Sequence, residues 1–126
     1  MTDEIRLTLP RDREFFRIAH LVVGGLAVRL DLTLEHLEDL QLGLDSLLAQ
    51  QDGQEDITLR IRVLDGAIET EIGPFPPAFS QALEEGGSSG VGLRRILDTV
   101  SDEVRLGERD GASWVTLTKQ VNGSGA

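Results

Sequence analysis

Strict alternation of apolar and polar residues in one segment constrains the fold more than any other feature of the sequence. The apolar positions of that segment are Ile57, Leu59, Ile61 and Val63. A period of two predicts a β-strand with one buried and one polar face, and the buried face requires a second layer packed on the sheet. Asp65-Gly66 comes next and predicts a two-residue hairpin turn into a returning strand from Ala67 to Ile72.

Two amphipathic helices are predicted to contribute to that second layer. The first extends from about Asp12 to Leu30. Its predicted apolar stripe consists of Phe15, Ile18, Ala19, Val22, Leu26 and Leu30. Gly24-Gly25 lies inside this helix and is interpreted as a close-packing point or a kink. Thr33 is the predicted N-cap of the second helix, which ends at about Gln51.

A glycine- and serine-rich stretch, residues 86–92, precedes a third predicted helix that ends at Val100. Two interpretations stay open. Free N–H groups at the start of that helix suit an anion such as phosphate, or the stretch is a mobile loop before an ordinary surface helix. The stretch is neither a P-loop, because no Lys-Ser or Lys-Thr follows the glycines, nor a dinucleotide fingerprint, because Arg95 replaces the third glycine.

The complete order of elements predicts an α+β two-layer sandwich, with a mixed five-stranded sheet covered on one face by three helices. The remaining predicted elements are a first strand at Ile5 to Leu9, a long loop from Pro74 to Gly90 with a helical turn near Phe79 to Leu83, and final strands at Glu103 to Leu106 and Ala112 to Lys119. Asp110-Gly111 is the predicted turn between the last two strands.

Length and composition narrow the class of protein. The 126 residues fit one domain, 1–121, with a flexible tail at 122–126. A net charge of −10 argues against direct DNA or RNA binding, and suits either a basic protein partner or solubility alone. Cysteine is absent, which excludes disulfides and thiolate metal sites. No apolar run or leader pattern indicates a membrane span or signal peptide, so a cytoplasmic bacterial protein is expected.

Three segments in order resemble the anti-sigma regulatory factor branch of the histidine-kinase-like ATPases, whose nucleotide site is built on the Bergerat fold. They are Gly90-Val91-Gly92-Leu93, then Asp102-Glu103-Val104, and then the run from Gly111 to Lys119. The family shows a Gly-x-Gly-Leu helix start, an Asp-Glu-Val strand and a closing Gly-Thr-x-Val-x-Leu-x-Lys strand in that order. The likeness extends from about Ile5 to Lys119.

In that family the second helix carries a Glu that polarises the attacking group and, four residues later, an Asn that holds magnesium. The resemblance places these catalytic positions at Ser46 and Gln50. Serine is no general base near neutral pH unless another group activates it. Gln50 offers a carbonyl oxygen to Mg²⁺ from a side chain one methylene longer. This departure indicates weakened or lost kinase activity.

The segment from Glu71 to Phe75 is the best match to the family's adenine-reading Asp-x-Gly-x-Gly motif. The resemblance implies that Glu71 accepts from the adenine amino group, that Gly73 lets the base approach, and that Phe75 replaces the second glycine and fills the volume of the base. Ser113 is implied to support the adenine carboxylate. The full set implied for ATP or ADP with Mg²⁺ is Gln50, Glu71, Gly73, Gly90, Val91, Gly92, Leu93 and Ser113.

Two functions of different classes follow from this resemblance. One is an anti-sigma-factor-like regulator, a homodimer that binds a sigma factor and an anti-anti-sigma (STAS-type) antagonist. The other is an active serine/threonine protein kinase with a non-standard site, in which Gln50 ligates magnesium and Glu71 or Asp45 replaces the missing Glu. A third possibility is a chain that keeps the fold for dimerisation only.

Three further residues are assigned no chemistry from the sequence. His20 and His36 are interpreted as structural or surface residues rather than metal ligands. Trp114 is expected to pack in or beside the core, with a role as an interface anchor as the alternative.

Overall fold

The computed structural model describes residues 3–50, 56–85 and 90–121. Within these ranges the chain forms five strands and four helices. In chain order they are β1 (Asp3–Leu9), α1 (Arg13–Leu30), α2 (Leu34–Leu48), β2 (Ile57–Leu64), β3 (Ala67–Phe75), α3 (Ala78–Glu85), α4 (Gly90–Val100), β4 (Glu103–Arg109) and β5 (Ala112–Gln120). Residues 86–89 of the glycine-rich stretch, the predicted tail and the predicted end of the second helix at Gln51 lie outside the described residues.

The predicted α+β fold with a five-stranded sheet is confirmed, although the sheet is antiparallel rather than mixed. The strand order is β1-β2-β3-β5-β4, and each neighbouring pair is antiparallel. Two helices joined by a short turn return the chain to the end at which β1 finished, so β2 enters the sheet in the opposite direction.

The described residues form four helices rather than three, because the segment that was expected to be mostly loop contains α3. The predicted turn near Phe79 is an eight-residue helix, Ala78–Glu85. Phe79 and Leu83, one turn apart, are both buried and belong to the main hydrophobic core. Burial of this pair stabilises a helix that local sequence alone predicts only weakly.

The predicted signals at helix ends and turns are confirmed. The Thr33 hydroxyl accepts a hydrogen bond from the backbone N–H of His36 at 3.1 Å, which satisfies a free donor at the start of α2. Asp110 and Gly111 both have positive φ, 55° and 77°, in the turn between β4 and β5. Asp-Gly favours this geometry because aspartate tolerates the left-handed region and glycine adopts it freely.

The buried face of α1 differs from the predicted stripe. Ala19, Val23 and Ala27 are buried, whereas Phe15 and Ile18 are 36% and 39% exposed. Val22, Leu26 and Leu30 are partly buried and pack against the core. A Cβ added at Gly24 or Gly25 would meet no atom within 4 Å, so these glycines are not close-packing points.

The core lies between the four helices and one face of the sheet. Truncation of a side chain in the core should therefore lower the free energy of unfolding more than truncation of an exposed side chain. We expect Leu97→Ala to lower the free energy of unfolding by about 2–5 kcal/mol, because Leu97 is fully buried in α4. Leu21→Ala is the matched control, since Leu21 is 75% exposed, and a change within about 0.5 kcal/mol is expected. Urea denaturation measures both, and equal losses would contradict this packing.

Candidate functional site

The two faces of the sheet have opposite characters, and the predicted site residues divide between them. Side chains such as Ile72, Val115 and Leu117 point towards the helices and join the core. We call this the helix face. Alternate positions point away from the helices and form what we call the outer face, where Glu69 and Glu71 of β3 meet arginines of the neighbouring strands.

Ser46 and Gln50 lie one turn apart at the C-terminal end of α2 and bond to their own helix. The Ser46 hydroxyl donates to the carbonyl oxygen of Leu42 at 2.7 Å. The Gln50 amide donates to the carbonyl oxygen of Ser46 at 3.3 Å. Neither side chain brings a general base to this position, because a hydroxyl and an amide do not accept a proton readily near neutral pH.

Asp45, the residue before Ser46, pairs with a different partner. Its carboxylate contacts Nε2 of His20 in α1, and both side chains are partly exposed. This contact ties α2 to α1 and agrees with the structural or surface role predicted for His20. Because successive residues of a helix are about 100° apart, Asp45 does not take the direction of the neighbouring Ser46.

Glu71 lies on the outer face, on the opposite side of the sheet from α2 and α4. Its carboxylate is 3.0 Å from Arg60 and 2.7 Å from Arg109, and the side chain is only 16% exposed. Thr70 and Ile72 on either side of it are buried on the helix face. The structure therefore does not bring Glu71 together with Gln50 or with the start of α4.

Gly73 is required by the close approach of an indole ring. A Cβ built on Gly73 would lie 2.5 Å from Cδ2 of Trp114, well inside van der Waals contact. The Arg109 guanidinium covers the Trp114 ring at 4.2 Å from the ring centroid. Trp114 thus packs on the outer face, beside the sheet rather than within the helix-face core, and Gly73 provides the space for it.

Phe75 and Ser113 occupy the helix face near the end of β3. Phe75 is 2% exposed and stacks on Phe79, with ring centroids 4.3 Å apart. Ser113 is fully buried, and its hydroxyl donates to the carbonyl oxygen of Pro77 at 3.1 Å. These two contacts hold the chain between β3 and α3 against the sheet. The Phe75 ring and the Ser113 hydroxyl, which the resemblance assigns to the adenine pocket, are thus engaged in packing and in a backbone hydrogen bond.

The first turn of α4 contains Gly90, Val91, Gly92 and Leu93. Leu93 is 7% exposed and anchors the helix in the core. Gly92 is exposed, and a Cβ added there would meet no atom within 4 Å. The first N–H groups of a helix have no partner within the helix, which is the basis of the anion site predicted at this position.

Taken together, the described residues do not assemble the adenine- and magnesium-binding set that the resemblance implies. Glu71 is on the other face of the sheet, Phe75 fills core volume, and Ser113 bonds to the backbone. The Gln50 amide nitrogen donates to the carbonyl oxygen of Ser46, and the Mg²⁺ role of its side-chain carbonyl oxygen stays a prediction. Within the described ranges there is also no group of three or more acidic or histidine side chains placed to hold a metal ion. The nucleotide-binding set stays a prediction, with the start of α4 as the part that geometry favours.

Comparison with known proteins gives related sequences over almost the whole chain. The serine-protein kinase RsbW of Bacillus subtilis (strain 168) is 24% identical over 144 aligned positions, which cover 96% of this chain and 88% of that protein. RsbW of Listeria monocytogenes serovar 1/2a is 28% identical over 145 positions, which cover 97% of this chain and 90% of that protein. No protein-family model matches the chain.

The chain is similar to the RsbW serine-protein kinases over almost its whole length. A crystal structure of the RsbU and RsbW domains of a Mycobacterium tuberculosis protein shares its fold, with a TM-score of 0.69 and 13% sequence identity. The match covers 94% of this chain and 32% of that longer chain. The resemblance to this branch of kinases is thereby confirmed. None of the helices within the described ranges is long and apolar enough to span a bilayer.

Sequence reasoning missed the outer-face cluster around Arg109 and Trp114. The signal was present, because Arg60 and Arg62 of β2 occupy alternate positions opposite Glu71 and Glu69 of β3. Opposite charges on facing strands favour a cross-strand ion pair on the solvent side of a sheet. This pattern assigns Glu71 to ion pairing, whereas motif matching assigns it to adenine.

The packing of Trp114 on Gly73 predicts a specific cost for a single methyl group. We expect Gly73→Ala to destabilise the protein by about 1–3 kcal/mol and to shift Trp114 emission, because the ring must move. Gly107→Ala is the matched control. Gly107 pairs with Trp114 in the sheet register, yet a Cβ there would meet no atom within 4 Å. Urea denaturation followed by tryptophan fluorescence tests both, and equal stability of the two variants would contradict the contact.

Proposed function

We propose that the protein is an anti-sigma-factor-like regulator that binds a sigma factor, an anti-anti-sigma antagonist of the STAS type, or both, in the cytoplasm. The observation that carries this proposal is homology to the RsbW serine-protein kinases over nearly the whole chain. Similarity confined to one motif would support only a shared local structure, whereas similarity along the full fold supports a shared mode of action.

The surface of α1 and α2 supports a role in protein binding. Large apolar side chains are strongly exposed at Leu21, Val28 and Leu34, at 75%, 84% and 69%. Exposed apolar side chains grouped on neighbouring elements are typical of surfaces that another protein covers. A net charge of −10 adds attraction for a basic partner. A second copy of the chain in a homodimer is the other occupant that we propose for such a surface.

Phosphotransfer is proposed to be weakened or lost. A kinase needs a positioned base for the attacking hydroxyl and a cation that neutralises charge on the phosphates. The family positions for these tasks hold Ser46 and Gln50, and both side chains donate hydrogen bonds to their own helix. Loss of a positioned general base alone lowers the rate by about 10²–10⁴-fold.

Partner binding is the direct test of the regulatory proposal. We expect the tagged protein to retain a sigma factor or a STAS-domain protein from an extract of its own host. The retained protein, once purified, should bind in the same way on its own. Leu21→Asp should weaken retention if the exposed apolar surface forms the contact, and Glu84→Gln, another exposed position, is the matched control. The proposal would be overturned if none of the purified sigma factors and STAS-domain proteins of the host bound the protein.

Nucleotide binding and transfer test the second part separately. We expect calorimetry with Mg²⁺ and ATP to give a dissociation constant of about 1 mM or weaker, and no magnesium-dependent label on a STAS-type antagonist above a no-enzyme control. Gly92→Val tests whether any bound ATP lies at the start of α4. The fold should tolerate this change, since a Cβ at this position meets no atom within 4 Å. Micromolar ATP binding that is lost in Gly92→Val, together with transfer, would instead identify a competent kinase.

A further inference from the structure

The outer face of the sheet carries a network of five arginines and four glutamates (Glu4, Glu69, Glu71 and Glu103), which leaves a small excess of positive charge in an acidic protein. Five of the twelve Lys and Arg residues lie on it, whereas the chain as a whole carries a net charge of −10. These five are Arg6, Arg60, Arg62, Arg105 and Arg109. Arg62 and Arg105 are engaged by Glu69, which is 13% exposed and lies 3.3 Å and 2.8 Å from them. Arg6, Arg60 and Arg109 lie together on the other part of the face.

Those three arginines line a cavity of about 340 Å³ that we call the arginine cleft. Its lining also includes the hydroxyls of Thr8 and Thr58, which are 3.0 Å apart, and a single carboxylate, that of Glu71. The Glu4 carboxylate lies beside the cleft, 3.4 Å from Arg6 and 4.0 Å from Nε of Arg60. Three guanidinium groups against the two carboxylates of Glu4 and Glu71 leave an excess of one positive charge. A cavity with this lining attracts an anion.

Many of the guanidinium N–H groups that line the cleft make no hydrogen bond to the protein. Glu71 is shared between Arg60 and Arg109, although each guanidinium carries five N–H donors. The Nε atom of Arg60 is buried and makes no hydrogen bond, although a carboxylate oxygen of Glu4 lies 4.0 Å from it. Arg6 is 63% exposed, and its contact with Glu4 is 3.4 Å long. A guanidinium group with unused N–H donors can form two parallel hydrogen bonds to the oxygens of a phosphate or carboxylate.

A second cavity, of about 440 Å³, adjoins the cleft, and Arg109 and Trp114 line both. We call it the proline pocket because Pro74, Pro76 and Pro77 contribute to its wall. Arg11 also lines it, and its guanidinium donates to the carbonyl oxygen of Pro74. Proline rings and an indole edge offer apolar surface directly beside a cationic cleft.

We propose that the outer face binds a small organic anion, with its phosphate or carboxylate in the arginine cleft and an apolar or aromatic body in the proline pocket. Both cavities have the size of small-molecule sites, and the combination of an apolar wall with a few convergent charged groups is typical of them. The arginine cleft lies on the opposite side of the sheet from the start of α4, so the anion position is separate from the nucleotide position considered above. The proline pocket lies at the end of the sheet, where Phe75 also contributes to its wall.

Trp114 reports directly on this site, because it is the only tryptophan in the chain and it lines both cavities. The probes are phenyl phosphate, benzoate and inorganic phosphate, each titrated against potassium chloride at matched ionic strength. We expect a saturable change in Trp114 emission with phenyl phosphate or benzoate, at concentrations about tenfold lower than with inorganic phosphate, because the ring adds apolar contact. Comparison of the first two probes separates a phosphate from a carboxylate ligand.

Arg6→Gln is the test variant, since Arg6 is largely exposed and its loss should leave the fold intact. We expect it to weaken binding about tenfold, and Arg6→Lys to restore part of the affinity. Arg105→Gln is the matched control on the same face, since Arg105 is 56% exposed and lies outside both cavity linings. A change within twofold is expected there.

Several results would overturn this proposal. One is an emission change that never saturates or that potassium chloride reproduces. Another is an equal loss of affinity in Arg6→Gln and Arg105→Gln, which would indicate diffuse attraction by the whole face. A loss of affinity in Gly92→Val with no effect of Arg6→Gln would place the anion at α4 instead. Calorimetry with the same probes provides a readout independent of Trp114.

Discussion

The period of two along β3 determines where each residue of the central motif can act. Ile72 points into the core, so Glu71 must point to the outer face, where Arg60 and Arg109 neutralise its charge. A one-residue change in register would bury that carboxylate among Leu and Ile side chains and expose Ile72 to water. Both changes are costly, so the register of the sheet and the outer-face position of Glu71 are fixed together.

The same alternation separates two kinds of stabilisation. On the helix face, apolar burial joins the helices to the sheet, with Leu44, Leu97 and Val115 almost completely removed from water. On the outer face, partly exposed ion pairs contribute little stability individually. Their arrangement has more effect on the electrostatic potential, because Glu69 engages two arginines while the cleft beside Glu71 retains an excess of positive charge.

Local signals in the sequence were sufficient for much of the fold. The hairpin at Asp65-Gly66, the turn at Asp110-Gly111 and the Thr33 cap each depend on a few adjacent residues, and all are present. Features that depend on tertiary contacts were not predictable in this way. The buried stripe of α1 is centred on Ala19, Val23 and Ala27, because the face that is buried depends on how the helix packs against the rest of the core.

Prediction of the candidate site had a similar limit. Motif matching identified the segment from Glu71 to Phe75, but it could not show that Gly73 accommodates the indole ring of Trp114. Both interpretations require glycine at that position because a flat ring approaches the backbone closely. In the family the ring is adenine, and in this structure it is the indole of Trp114. A partner more than thirty residues away along the chain leaves no trace in the local sequence pattern.

The contacts of Ser46 and Gln50 explain how the fold accommodates serine and glutamine at the two positions that the resemblance assigns to catalysis. Ser46 in α2 and Gln50 just beyond its end both donate to backbone carbonyl oxygens of that helix, so neither leaves an unsatisfied buried group. Phosphotransfer depends on a few side chains in defined positions, whereas binding of a protein partner depends on an extended surface. Replacement of two residues on one helix can therefore lower catalysis by orders of magnitude while the shape that a partner recognises stays the same.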